Sequence, residues 1–323
     1  MKESLHPLKF QPILKDKIWG GEKLIKQFNK ASKSKILGES WEISTVPNDV
    51  SVVSNGALKD KTLQELLDSY KADLLGKKNY SRFGNDFPLL IKFIDAKQDL
   101  SIQLHPDDKL AKERHNSFGK TEMWYVMQAD EDANLIVGFN QKMDKETYLK
   151  HLEDKTLTQI LNFDKVKEGD TYFIEAGRVH AIGAGVLLAE IQQTSDVTYR
   201  VYDWDRVDAE GNSRELHNDI AIDAFNFEME DDFRVEYDTE QNISNEMVSC
   251  PFFTTNFLEL DTSRSIKNTY DSFLIYMCVD GEIEVTTENS KDTISKGETI
   301  LIPASVDAFN INTNYAKLLE VYV

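Results

Sequence analysis

The chain has only two cysteines in 323 residues, Cys250 and Cys278, and they stand in no CxxC spacing. That excludes a disulfide framework, and reduced, partly buried thiols are expected. No apolar run is long enough to cross a bilayer as a helix. The opening Met1-Lys-Glu-Ser-Leu-His-Pro has neither an apolar core nor a small-residue cleavage site, so no secretory signal is read there and a cytoplasmic location is expected. Basic charge is scarce too: 37 Lys and Arg stand against 56 Asp and Glu, a formal net charge of -19. Such a balance opposes nucleic acid and anionic lipid, and neither is expected as a partner. An anionic small molecule stays compatible if cations gather locally, for which Lys120, Arg178, Arg200 and Arg206 are the candidates.

What is present is apolar alternation. Hydrophobic residues make up 41% of the chain, enough at this length for two domains with ordinary cores. Strand patterns run through 38–44, 87–95, 99–105, 122–127, 135–139, 171–175, 186–192 and 197–204. Helical periods interrupt them. Residues 59–75 carry Thr62 and Glu65 in capping-box register, 107–114 read as a short polar helix, and 144–161 place Lys145, Tyr148, Leu149 and Leu152 on one face. The acidic, polar stretch 228–242 reads as an interdomain connection. Beyond it, short strands at 252–260, 273–279, 281–287, 299–303 and 318–323 imply a second all-β domain. The expected fold is mainly β, two jelly-roll domains over 1–230 and 240–323, with a few helices inserted in the first.

The chemistry concentrates in Ser101-Ile-Gln-Leu-His-Pro-Asp107, Lys120-Thr-Glu122 and the segment Gly169 to His180. Gln103 and His105 stand at i and i+2 of a strand pattern, so their side chains leave one face about 6.5 to 7 Å apart. A carboxylate from Glu122 and an imidazole from His180 complete a nitrogen and oxygen set that suits Zn²⁺ or a similar divalent ion. The interval Gly169-x5-Glu175-x-Gly177-x2-His180 resembles the second cupin motif, with Glu175 where proline is usual. Gly297-x5-Pro303 repeats the interval, but Ser305 stands where Gly177 does and no histidine follows. The second barrel therefore reads as a metal-free cupin. His115, His151 and His217 have no partner pattern and read as surface residues; Trp19 and Trp41 read as core or barrel-lid packing. Asp203 and Asp205 are expected to pair with Arg200 and Arg206.

Five segments in order resemble the type I mannose-6-phosphate isomerases in their short bacterial form: Trp19-Gly-Gly, Gly38-Glu-Ser-Trp-Glu-Ile-Ser, Ser101-Ile-Gln-Leu-His-Pro-Asp, Gly119-Lys-Thr-Glu-Met-Trp-Tyr and 169–200, which ends in Ser195-Asp-Val-Thr-Tyr-Arg. The resemblance implies two cupin domains with one Zn²⁺ held by Gln103, His105, Glu122 and His180. It implies Arg200 in catalysis, Lys120 and Ser101 on the phosphosugar substrate, and Asp196 and Glu190 lining the site. Its reaction is interconversion of mannose 6-phosphate and fructose 6-phosphate through an enediol, with charge on O1 and O2 stabilised by the metal and Arg200. The base stays open among Asp196, Glu190, a metal-bound water and His105, and Gln103 is open between ligating and orienting. A non-catalytic sugar-phosphate-binding cupin, or an isomerase of another phosphosugar, are the alternatives. Oligomeric state is not legible.

Overall fold

The computed structural model describes residues 3–207 and 210–323, so Met1 and Lys2 of the opening segment lie outside it. Strands dominate, as the alternation requires. Six form one sheet in the order Ile13–Gly21, Leu37–Ile43, Leu89–Asp95, Val186–Gln193, Glu122–Ala129, Thr171–Ile174. Five form the facing sheet, in the order Tyr199–Tyr202, Ile102–Leu104, His180–Ile182, Asn134–Phe139, Leu161–Lys165. These two sheets make the first barrel. An eight-stranded sheet running from Asn245–Ser249 to Ala316–Tyr322 makes the second.

Successive side chains on a strand point to opposite faces, and this decides what each strand buries. Trp124 and Val126 join Ile94, Leu188 and Ile182 inside the first barrel. Their neighbours Met123, Tyr125 and Met127 point the other way, onto Phe257, Ile275, Met277, Leu319 and Val321 of the second barrel. The six-stranded sheet is thus covered on both faces, which is why its strands read as nearly continuous apolar runs. Each large side chain buried at such a seam is worth about 1.5–3 kcal/mol, and the seam joins the barrels into one body. A polar residue inside one of these runs points into the first barrel only if it shares the parity of Trp124 or Leu188. Lys92, Glu122, Glu190 and Gln192 all do.

Helices cover the remaining faces. Thr62 and Glu65 form the expected capping box on Leu63–Tyr70, but the helix stops at Lys71, whose φ is 50°, and resumes as Ala72–Leu75. Helix Asp108–His115 starts at Asp107, whose carboxylate accepts the Leu110 N–H. Helix Lys145–Glu153 covers the outer face of the five-stranded sheet through fully buried Tyr148; Leu149, expected beside it, is 41% exposed because the helix meets the sheet along a narrower stripe.

One expectation needs correction. Residues 273–279 and 281–287 belong to one strand, Leu274–Thr286, with a bulge before Gly281, whose φ is 75°. The glycine bends a strand round a barrel corner and does not end it. The acidic stretch after 228 does run between the barrels and is packed as it goes: Phe233 is buried in the first barrel, Arg234 bridges Tyr172, and Val235 N–H donates to Thr171. Single anchors carry that segment, so no strand period marks it.

Candidate functional site

Three elements bring the ligand atoms together. Glu122 opens its strand, with Ile174 and Gln192 as its cross-strand partners. His180 opens its own strand opposite Gln103 on one side and Val137 on the other. His105 follows the strand Ile102–Leu104, and the Gly177 N–H donates to its carbonyl at 2.8 Å. Gly177 has φ 87°, and a Cβ there would lie 2.4 Å from the Ala224 carbonyl oxygen, so the turn admits glycine alone without strain.

His105, Glu122 and His180 are buried, and one ligand atom from each lies within 4.8 Å of the others. His105 Nδ1 is 2.9 Å from the Val197 carbonyl and His180 Nδ1 2.8 Å from the Arg178 carbonyl. A carbonyl only accepts, so each Nδ1 carries the proton and each Nε2 keeps its lone pair. Those two Nε2 atoms each lie 3.5 Å from a Glu122 oxygen, and Glu122 Oε1 is buried with no hydrogen-bond partner. Two oriented imidazoles and an unsatisfied carboxylate oxygen fit a divalent cation. Burial, then the Lys120 ammonium, holds the His105 imidazolium form well below its usual range and His180 down at about 3, so both stay neutral. Burial and then the charge of Glu190 push the Glu122 carboxyl up, against Lys120.

Lys120 is the cation at this cluster. Its Nζ is 3.0 Å from His105 Nε2 and paired with Glu122 Oε2, so its charge sits at the ligand end. Gln103 turns its amide oxygen to Ser101 Oγ at 3.3 Å, while its nitrogen lies 3.5 Å from His180 Nε2.

A cavity of about 360 Å³ opens beside the cluster, walled by Trp19, Trp41, Lys92, Ser101, Gln103, Lys120, His180, Glu190, Asp196, Arg200 and Arg214, among others. Glu190 is 4% exposed; its Oε1 lies 2.9 Å from Lys92 Nζ and its Oε2 accepts from Trp124 Nε1 at 2.9 Å. Burial alone would raise this carboxyl, but Lys92 and Lys120 hold it below the usual range and ionised. Arg200 donates through Nε to Ser101 Oγ at 3.3 Å and through Nη1 to the Glu215 carbonyl at 2.8 Å. Asp196 is exposed on the rim, shared with a neighbouring cavity of about 620 Å³. Trp19 and Trp41 are packed, as expected, and also wall the cavity.

A family model for the phosphomannose isomerase type I catalytic domain matches residues 8–136, and one for the mannose-6-phosphate isomerase cupin domain matches 243–323. Mannose-6-phosphate isomerase ManA of Bacillus subtilis is 36% identical over 316 residues, covering 97% of this chain and 98% of its own. The chain belongs to the type I phosphomannose isomerases. Mannose-6-phosphate isomerase of Streptococcus mutans is likewise 36% identical, covering 95% of each chain. The crystal structure of the mannose 6-phosphate isomerase from Bacillus subtilis superposes with a TM-score of 0.88 at 33% identity, over 98% of this chain and 99% of that one.

Within this phosphomannose isomerase some cations fall elsewhere than the sequence reading put them. Arg178 faces away from the cavity, bound to Glu175, Glu230 and the Glu228 carbonyl, and so anchors the segment after 228. Arg206 pairs with Asp203 and the Asp99 carbonyl. The second partner of Asp203 is Arg214, not Arg200, and Asp205 accepts from Tyr202. His217 is not idle at the surface: its Nδ1 accepts the Arg200 N–H at 3.0 Å and its own N–H donates to the Arg200 carbonyl at 2.7 Å. Lys92 and Arg214 were missed as site residues. Lys92 had a signal, a lone cation amid Leu89-Leu-Ile and Phe93-Ile; Arg214 had none, because its loop has no period.

Proposed function

We infer that the chain interconverts mannose 6-phosphate and fructose 6-phosphate by moving a proton between C2 and C1 through an enediol. The observation that carries this reading is the buried His105, Glu122 and His180 set beside a cavity lined by the ionised carboxylate of Glu190 and the half-buried guanidinium of Arg200, among others. A divalent ion held by His105, Glu122 and His180, which we take to be zinc, supplies Lewis-acid stabilisation of charge on the sugar oxygens when bound.

The protein's own groups do the rest. Glu190 stays ionised because Lys92 lies against it, so it is equipped to take a proton from carbon and return it to the neighbouring carbon; a placed base of this kind is worth about 10² to 10⁴ in rate. Its Oε1 makes an ion pair with Lys92 without a well-directed hydrogen bond, which leaves that oxygen a lone pair to offer. Arg200 is fixed by Ser101 and the Glu215 carbonyl and by His217 on its backbone, and presents positive charge to the developing enediolate. Lys120 contacts the sugar at the ligand end, Ser101 at the Arg200 end, Gln103 stands beside His180 Nε2 in the ligand set, and Asp196 meets the substrate at the rim. Residues 1–230 carry this chemistry and 240–323 brace it from behind. No helix among the described residues is long and apolar enough to cross a membrane; we place the protein in the cytoplasm, acting on a phosphosugar.

The test is fructose 6-phosphate formation from mannose 6-phosphate by purified protein, as isolated, after chelation and after zinc is restored. Turnover lost and regained in step with zinc is the expected result. A zinc-loaded protein that binds the sugar phosphate without turning it over would overturn the catalytic reading.

A further inference from the structure

The cavity has a second guanidinium that no motif announced. Arg214 lines it beside Arg200. Both oxygens of Asp203 hold Arg214 from the side: Nε donates to Oδ2 at 2.7 Å and Nη2 to Oδ1 at 2.5 Å. Asp203 is 5% exposed, so this fork is set in a buried carboxylate and its direction is fixed. The remaining nitrogen, Nη1, has no partner among the described residues. Arg200 is in the same condition, because its bonds use Nε and Nη1 and leave Nη2 free.

Among the described residues, guanidiniums outnumber buried carboxylates at this end of the cavity. Arg200, Arg206 and Arg214 converge on a single carboxylate, Asp203. Glu215 accepts from Arg200 through its carbonyl, and its carboxylate, 84% exposed, adds a charge that solvent screens. Burial, then the nearby Arg214, lowers the Arg200 guanidinium from its usual range, against the charges of Asp203 and Glu215. In a chain of net charge -19, that local excess is paired with unspent planar donors facing a cavity.

The position also suits a substrate with two ends. Arg200 is the cross-strand partner of Gln103, and Gln103 of His180. Two strand spacings, about 9.5 Å, therefore separate the Arg200 backbone from the His180 backbone along one wall. The carbonyl end of a six-carbon sugar phosphate at the ligand cluster leaves its phosphate beyond Arg200, on the side of Arg214.

We propose that Arg214, aimed by Asp203, binds the substrate phosphate and so sets the preference for a phosphorylated sugar, while Arg200 beside it keeps its place at the reacting carbons. This rests on the isomerase reading above. Lys120, by contrast, belongs to the ligand end.

The experiment is steady-state kinetics of the zinc-loaded full chain and its Arg214→Met and Arg214→Lys variants, with calorimetric binding of inorganic phosphate to each. Arg214→Met is expected to raise KM for mannose 6-phosphate about ten- to a hundredfold, the size of one lost charge-assisted hydrogen bond, with kcat within about threefold and zinc content retained. Phosphate binding weakens by a similar factor, the preference over unphosphorylated mannose shrinks with it, and Arg214→Lys recovers part. A merely structural role would instead lower stability or zinc content at unchanged KM. Unchanged KM and unchanged phosphate affinity in Arg214→Met would overturn the proposal, and if that variant fails to fold, unchanged values in Arg214→Lys would do the same. A wild-type protein that turns over no mannose 6-phosphate, yet binds phosphate through Arg214, sinks the isomerase reading and keeps the anion seat.

Discussion

The two barrels are built to one strand plan and differ in what stands at matched positions. In the first, Glu190 lies between cross-strand partners Trp124 and Lys92; in the second, Glu320 lies between Tyr276 and Asn256. Trp124 donates to its carboxylate at 2.9 Å and Tyr276 to its own at 2.8 Å. The third partner is where they part. Lys92 brings a charge at 2.9 Å, whereas Asn256 and Ser244 bring neutral donors at 3.0 and 2.9 Å. By the same register Glu122, opposite Ile174, corresponds to Leu274, opposite Ile302. Apolar side chains such as Leu258, Ile283, Ile300 and Leu318 fill the second interior. One scaffold therefore serves two ends: a satisfied carboxylate fixes packing, and the same carboxylate beside a lysine, a cavity and a ligand cluster is equipped for proton transfer.

The sharpest way to break this comparison is to neutralise both carboxylates. Glu190→Gln is expected to cut kcat by about 10² to 10⁴ with zinc content retained. Glu320→Gln should leave kcat within about twofold and cost on the order of 1–3 kcal/mol of stability, because donors arranged for a charged acceptor meet a neutral amide. Kinetics with denaturant melts of both variants reads the contrast. Equal losses of kcat would mean that Glu190 supports packing as Glu320 does.

A smaller effect separates the glycine turns. Gly177 and Gly297 both have positive φ, 87° and 84°, and an alanine Cβ would meet the Ala224 carbonyl in one case and the Phe28 ring in the other. Each alanine carries about 1–2 kcal/mol of backbone strain. Only Gly177→Ala disturbs a turn bonded to His105 and leading to His180, so it alone should weaken zinc affinity, by about 10- to 100-fold. Gly297→Ala should lower the melting temperature and leave zinc affinity as it was. A competitive chelator titration decides, and equal zinc affinities in both variants would detach the turn from the site.

The same contrast explains what the sequence made legible. The cluster of His105, Glu122 and His180 showed because two chemistries had to meet backbone demands: a glycine turn fixes where His180 starts, and alternation fixes the face that His105 shares with Gln103. The second barrel's Gly297 interval showed for the same reason. Glu320 did not, because a carboxylate in Leu318-Leu-Glu-Val is noticed only once its cross-strand partners are known, and register between strands sixty residues apart leaves no local trace. Arg214 and His217 stayed hidden on a loop whose position is set by ion pairs to Asp203 and bonds to Arg200. The cation pairing was misread for the same reason, since proximity in Tyr202-Asp-Trp-Asp-Arg206 favoured neighbours over the distant Arg214.

The smallest effect is in the pH dependence of the metal-free protein. Although burial opposes it, Lys92 with Lys120 holds the Glu190 carboxyl below the usual value, while the unfolded chain keeps that usual value near 4.5. The unfolded state then binds the proton first. The pair's stabilisation is fully present above about pH 4.5 and is lost as pH falls through the lower folded value, with a slope of at most about 1.4 kcal/mol per pH unit. His105 and His180, held neutral by burial, act in the same direction from about pH 6.5 downward, and Glu122, pushed up, acts against them. The Glu190 share is isolated by difference: denaturant melts of chelated wild type and Glu190→Gln between pH 5.5 and 3 should diverge least at the acid end, where wild type has lost its pair. A constant gap across that range would mean that Lys92 does not hold Glu190 ionised, and the asymmetry drawn between the barrels would lose its electrostatic basis.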